Sequence, residues 1–163
     1  MNFSKTKFII LSMLIIIMYI YMTSSVAYGI DNTTAIGIIE TVNDAADEQI
    51  EIKNRNLIVE RAQSHIGCPY SWGGTTSEGF DCSGFVSYCL CGEEGVRLGT
   101  TATMVNWPIV EDPQPGDICI TYGHCGVYVG DGRMIHASTY GVGVIESEVQ
   151  SGMFYVRWPD GNL

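Results

Sequence analysis

The chain has 163 residues and a formal net charge of −10, set by eighteen acidic against eight basic side chains. A surface this acidic repels phosphate polyanions and argues against nucleic acid as a partner. The length fits one domain, and neither an internal repeat nor a second domain is visible along it.

The first 29 residues read as a targeting segment. Lys5 and Lys7 precede an apolar run from Phe8 to Tyr21, and small residues follow at Ser24, Ser25, Ala27 and Gly29. A basic start, an apolar centre and a small-residue exit make a secretory signal. The competing reading is a retained membrane anchor, because the run approaches the ~17–25 apolar residues that cross a bilayer. Either reading places the remainder outside the cytoplasm, secreted or anchored, with any membrane contact confined to this segment. All eighteen acids but only six Lys and Arg lie beyond Gly29, so removal takes the net charge to −12. Residues 30–54 carry Asp44, Asp47, Glu48 and Glu51 without a strong period, and are expected to be an acidic spacer with at most a helical turn.

The compact domain is expected over residues 55–163. Ile58, Ala62 and Ile66 recur at four-residue spacing, which predicts an amphipathic helix over 55–66, stopped by Gly67 with Pro69 beyond. His65, in its last turn, reads as a cation suited to the helix C-terminus. After a loop containing Tyr70, Trp72, Gly73 and Gly74, a second helix is predicted from Cys82 to about Cys91. Phe85/Cys89 and Val86/Leu90 give it a broad apolar face, Asp81 suits its N-cap and Gly92 its end. Beyond Pro113 and Pro115 the period changes to two. Short strands are predicted over 117–121, 124–129, 133–138, 142–146 and 153–158, separated by glycine-containing turns. Helices followed by strands indicate an α+β fold with a central helix packed on an antiparallel sheet of about five strands.

Chemistry concentrates at Cys82. A cysteine is nucleophilic as thiolate, and its free pKa of ~8.5 leaves little thiolate at neutral pH. The first position of a helix helps, because unpaired N–H groups and the helix dipole favour an anion there. Ser83 and Gly84 keep the first turn slim, so that a substrate carbonyl can approach the sulfur. The competing reading is a helix-start cysteine that merely packs. His124 and His136, both on alternating strands, decide between them. If Gly130-Asp131-Gly132 is a three-residue loop, Val129 pairs with Arg133 and His136 lies opposite Gly126, diagonal to His124 on one face. A two-residue turn pairing Gly130 with Arg133 would put the two histidines on opposite faces. The three-residue loop is the expectation. Cys82 then attacks an acyl carbon, His124 takes and returns the proton, His136 orients His124, and the Cys82 N–H faces the oxyanion.

With one of six cysteines a nucleophile, five remain: Cys68, Cys89, Cys91, Cys119 and Cys125. They lack paired C-x-x-C spacing, so no metal site is expected, and burial as small apolar side chains is the default reading for most. If Thr121-Tyr122-Gly123 is a three-residue turn, however, Cys119 and Cys125 face each other and can form a cross-strand disulfide.

Five segments in order, Tyr70-x-Trp72-Gly73-Gly74, Asp81-Cys82-Ser83-Gly84-Phe85-Val86, Pro115-Gly116-Asp117, His124-x-Gly126-Val127-Tyr128 and Ile135-His136-Ala137-Ser138, resemble the NlpC/P60 family over about residues 55–159. The resemblance implies a papain-like fold, a Cys82-His124-His136 triad and no cofactor. It also implies cleavage of peptidoglycan stem peptides, often between γ-D-glutamate and a diamino acid, by a protein expected to act as a monomer. Tyr70 matches a tyrosine beside the nucleophile that assists the oxyanion site, and Asp81 and Ser83 match positions lining the substrate groove. Tyr70 and Trp72 could equally pack beneath their loop, and Asp81 could be an N-cap alone. Where many relatives carry a Leu-Pro-Arg-Thr-like segment and then glutamine, this chain has Arg97-Leu98-Gly99-Thr100-Thr101 and Met104, which leaves the stem-peptide preference open. No SH3-like or LysM-like module is recognised, so wall binding is expected from the groove, an anchor or a partner. The alternatives are an amidase or acyl transferase on another amide, or a non-catalytic wall-binding protein on the same fold.

Overall fold

The computed structural model describes residues 15–20 and 32–159. The expected signal or anchor therefore lies outside the described residues except for α1, described at residues 15–20. No helix among the described residues is long and apolar enough to cross a membrane. Contacts divide the chain into two units, residues 1–48 and 49–163. The long helix α2, Asn32–Ser64, begins in the first and ends in the second.

Helix α2 thus starts 23 residues before the position expected from its apolar spacing. Ile36, Ile38, Val42, Ile50 and Ile52 are all exposed. With these side chains exposed, this stretch shows little of a period to read. Only the last turns are amphipathic in fact: Ile58 and Ala62 are buried, whereas Ile66 lies beyond the helix and is exposed.

A small hairpin follows where the sequence indicates only a loop, β1 (Thr75–Thr76) pairing with β2 (Gly79–Phe80). It leads directly into α3, Cys82–Cys91, whose boundaries are those the sequence predicts. Asp81 caps its start, and Gly92, at φ +74°, donates its N–H to the Tyr88 carbonyl at its end. Arg61 of α2 satisfies two of the last carbonyls of α3, donating to Cys89 at 2.9 Å and Leu90 at 3.2 Å. A single turn, α4 (Thr101–Met104), buries Met104 completely.

The main sheet holds β3 (Ile118–Thr121), β4 (His124–Gly130), β5 (Arg133–Ala137), β6 (Val144–Glu148) and β7 (Phe154–Val156), all antiparallel in the order β6-β5-β4-β3-β7. One face carries Ile118, Ile120, Cys125, Val127, Ile135 and Ala137 against Phe85, Val86, Cys89 and Leu90 of α3. The α+β architecture with the cysteine helix on a five-stranded sheet is the one expected.

Two turns differ from the sequence reading. Thr121 pairs with His124, so Tyr122-Gly123 is a two-residue turn. Cys125 then lies opposite Ile120 and Cys119 opposite Gly126, on different faces of the sheet, and both thiols are free. That removes the expected geometry for a disulfide. Between β4 and β5, Gly130 pairs with Arg133 around Asp131 and Gly132, whose φ values of 51° and 70° are those of a mirror-image hairpin turn. The three-residue loop is therefore absent. Yet Tyr128 pairs with Met134, leaving Val129 as an extra residue in a β-bulge. The bulge restores the register that the longer loop would have produced, with Val127 opposite Ile135.

Candidate active site

Cys82 owes its place at the first position of α3 to the Asp81 carboxylate. Oδ1 of Asp81 accepts from the Gly84 N–H at 2.7 Å and from the Ser83 hydroxyl at 3.1 Å, and Oδ2 accepts from the Gly73 N–H at 3.0 Å. Arg97 completes the cluster. It donates to both carboxylate oxygens at 3.1 and 3.0 Å, to Ser83 Oγ at 2.6 Å and to the Gly74 carbonyl at 3.4 Å. Burial pushes the Asp81 carboxyl up, but Arg97 and the Gly84 N–H outweigh it and hold it below the ordinary range. Asp81 and Ser83 are buried with their polar atoms committed to this network. Gly84 has a different use from the one expected. A Cβ there would fall 2.0 Å from the Gly74 carbonyl oxygen, so its bareness lets the 70–74 loop seat against the helix.

The thiols divide by environment. Burial pushes the Cys68 and Cys89 thiols up and takes Cys119 to about 12. Cys82 goes the other way, down to about 5. The Cys125 side chain beside it contributes most, opposed by burial; a hydrogen bond and charge from His124 and the Cys125 N–H add to the lowering. The sulfur also lies 4.0 Å from the Gly123 carbonyl. Cys125 carries the reciprocal cost, its own thiol driven well up by Cys82 and by complete burial.

His124 and His136 meet: Nε2 of the first is 2.6 Å from Nδ1 of the second, with the rings edge to face. Room for this comes from Gly126, which lies across from His136 in the continued register. Burial and then the His124 charge push His136 down to about 4, so it is neutral at physiological pH. Because His136 engages Nε2 of His124, Nδ1 is the nitrogen left to exchange a proton with Cys82. The far nitrogen of His136, Nε2, is 3.1 Å from the Ser147 hydroxyl on β6. No sequence signal marked Ser147 or Arg97 as part of this cluster.

Tyr70 is half-buried near the thiol; burial, then the Cys82 and Asp81 charges, push its phenol up. Its ring lies edge-on to Tyr140 at 6.3 Å. Trp72 does not pack beneath the loop: it is 87% exposed. His65 is occupied elsewhere, its Nδ1 2.9 Å from the Arg61 carbonyl and its ring against Phe80 and Tyr88. Among the described residues no three His, Cys, Asp or Glu side chains converge as a metal site requires. The arrangement can therefore hold a thiolate at a helix N-terminus, beside an imidazole whose other nitrogen is fixed by a neutral histidine. That is the equipment of nucleophilic acyl chemistry.

Comparison with known proteins matches this fold. The sequence model of the NlpC/P60 family covers residues 67–159. A protein of Mycobacterium tuberculosis described as a probable endopeptidase is 40% identical over 98 residues, covering 56% of this chain and 25% of the relative. Gamma-DL-glutamyl hydrolase of Bacillus subtilis is 43% identical over 94 residues, covering 50% and 22%. The chain thus spans about a quarter of the length of these curated relatives. Among solved structures, the NlpC/P60 domain of the peptidoglycan hydrolase SagA superposes with a TM-score of 0.55 at 32% identity, covering 64% of this chain and 98% of that one. A family match over more than half the sequence, on this fold, establishes that the chain belongs to the NlpC/P60 family.

Proposed function

We propose that the protein is a cysteine peptidase that hydrolyses an amide bond in peptidoglycan stem peptides outside the cytoplasm. The observation that carries this reading is the Cys82 thiol held down to about 5 beside a histidine whose second nitrogen is engaged at 2.6 Å. In this reading the Cys82 thiolate attacks the amide carbon, and the carbonyl oxygen becomes an oxyanion facing the Cys82 N–H, which has no intrahelical acceptor at the first helical position. His124, protonated at Nδ1, gives that proton to the departing amine as the C–N bond breaks. Water then adds to the thioester, His124 accepting its proton, and Cys82 leaves as thiolate. His136 stays neutral and holds the His124 ring. Tyr70 lies beside the oxyanion, Trp72 offers an exposed surface to the peptide, and Asp81 and Ser83 shape the groove floor through Arg97.

The similarity to a gamma-DL-glutamyl hydrolase favours a γ-D-glutamyl amide as the bond cut. Residues 1–29 would deliver the domain across the membrane and residues 30–54 would space it from that segment, the catalytic unit being 55–163, acting as a monomer. The deciding experiment incubates the purified chain and its Cys82→Ala variant with muropeptides and identifies the products by mass. Cleavage by the first alone is expected. Equal turnover by both removes the thiol mechanism, and no turnover by either favours a wall-binding protein on this fold.

A further inference from the structure

Ser147 lies on β6 opposite Met134, and His136 lies opposite Ile145. The Ser147 side chain therefore shares a face with His136, one step along the ladder. It is half-buried while its neighbours Glu146 and Glu148 are exposed, so it points inward from the edge strand. Its hydroxyl has two partners: the Glu148 carbonyl at 2.9 Å and His136 Nε2 at 3.1 Å.

A hydroxyl has one proton to donate. A carbonyl can only accept, so the Ser147 proton goes to Glu148 and the Ser147 oxygen is left as acceptor toward His136. That selects one tautomer of the neutral, 1% exposed His136 ring, with hydrogen on Nε2 and a lone pair on Nδ1. The lone pair faces His124 Nε2, which then donates its own N–H. Every link points the same way: His124 Nε2–H to His136, His136 Nε2–H to Ser147, Ser147 hydroxyl to Glu148.

We propose that Ser147 is a positioning residue: by accepting from His136 it fixes the His136 tautomer, and thereby lets His124 hold a second proton when Cys82 ionises. The inference rests on the thiol reading of the site. When Cys82 passes its proton to His124 Nδ1, the resulting imidazolium already has its Nε2–H on a waiting acceptor, and no proton travels further. The opposite tautomer would bring the His136 Nδ1–H against the His124 Nε2–H at 2.6 Å and oppose the imidazolium. An alanine at 147 leaves a buried N–H unpaired and the choice of tautomer free.

The test uses the full chain with wild-type, Ser147→Ala and Ser147→Thr side chains, and needs no peptide substrate. It therefore stands or falls separately from muropeptide cleavage. The first readout is the rate of Cys82 alkylation by iodoacetamide against pH, followed by mass of the Cys82 peptide. The second is the His136 ring tautomer from nitrogen-15 NMR. The wild type is expected to show hydrogen on Nε2, the alanine variant to lose that preference and raise its alkylation midpoint by about one pH unit, and threonine to restore both. An Nδ1–H tautomer in the wild type overturns the proposal without any variant. So does a folded alanine variant with an unchanged midpoint and tautomer.

Discussion

Gly126 and His136 face each other across β4 and β5 with no space for a side chain between them: a Cβ built on Gly126 would lie 2.8 Å from the Cβ of His136. The Ile135 carbonyl oxygen at 3.0 Å and the Met134 sulfur at 3.3 Å close the other sides. A Gly126→Ala substitution must push β5 or its histidine away. It is expected to cost about 1–3 kcal/mol of stability, as overpacking does, and to lower kcat by about tenfold or more through the His124–His136 contact. Urea denaturation and muropeptide turnover, measured on the same preparation, check both. Full activity would show that the contact tolerates displacement.

Cys82 ionises far below the other perturbed thiols, at about 5. Alkylation of Cys82 by iodoacetamide is expected to stay fast through neutral pH and fall away only as the pH approaches 5. In His124→Ala the midpoint is expected to rise toward the ordinary cysteine range, since a hydrogen bond and a charge are both lost. An unshifted midpoint would mean that the helix start and Cys125 suffice without the imidazole.

His136 and Cys82 give the fold the same pH signature. His136 is held at about 4 against an ordinary 6.5, so between those values the unfolded chain binds a proton that the folded one refuses. Stability therefore rises with pH across this window; its contribution is complete above about 6.5 and lost as the pH falls through about 4. For Cys82, lowered from 9.0 to about 5, the contribution is complete above 9 and lost as the pH falls through about 5. Urea midpoints of His136→Gln are expected to depend less on pH between 4 and 6.5, and those of Cys82→Ser less between 5 and 9, than wild type. Parallel profiles would show that neither group is shifted in the fold.

Arg97 is the partner that lets Asp81 sit buried as an anion at the head of α3. Removing it by Arg97→Ala leaves that charge short of its main counterion and is expected to destabilise by roughly 2–4 kcal/mol, somewhat below a fully buried pair because both groups retain some exposure. Lysine should rescue only in part, since it cannot reach both carboxylate oxygens and Ser83 with a planar fork. Thermal and urea unfolding of the two variants decide this, and equal stability of Arg97→Lys and wild type would refute the bidentate argument.

All six cysteines are free in the structure. Titration of the unfolded, unreduced protein with a thiol reagent is expected to give six equivalents. A result of four would show one bridge, and peptide mapping that placed it between Cys119 and Cys125 would require β3 and β4 to pair in another register.

Helix α3 was legible in the sequence to the residue, because its determinants are local: Asp81 one position before it, Gly92 one position after, and apolar pairs four apart within it. The five strands were legible for the same reason, through alternation against a packed face. The first half of α2 was not, because most of its large apolar residues are exposed and impose no strong period. The facing of His124 and His136 came out as expected although the turn did not. A two-residue turn with Val129 bulged has the same parity as a three-residue loop, and parity alone decides which face a side chain takes. Cys119 and Cys125 had no such compensation, so one residue of turn length separated them. Sequence alone therefore determined the cysteine helix, the five strands and their order, and singled out one thiol and two imidazoles as candidates. Tertiary structure decided what surrounds them: Arg97 on Asp81 from sixteen residues away, Cys125 beside Cys82, and Ser147 behind His136. These are contacts between groups distant along the chain, fixed by hairpin register and by burial, and no local spacing encodes them.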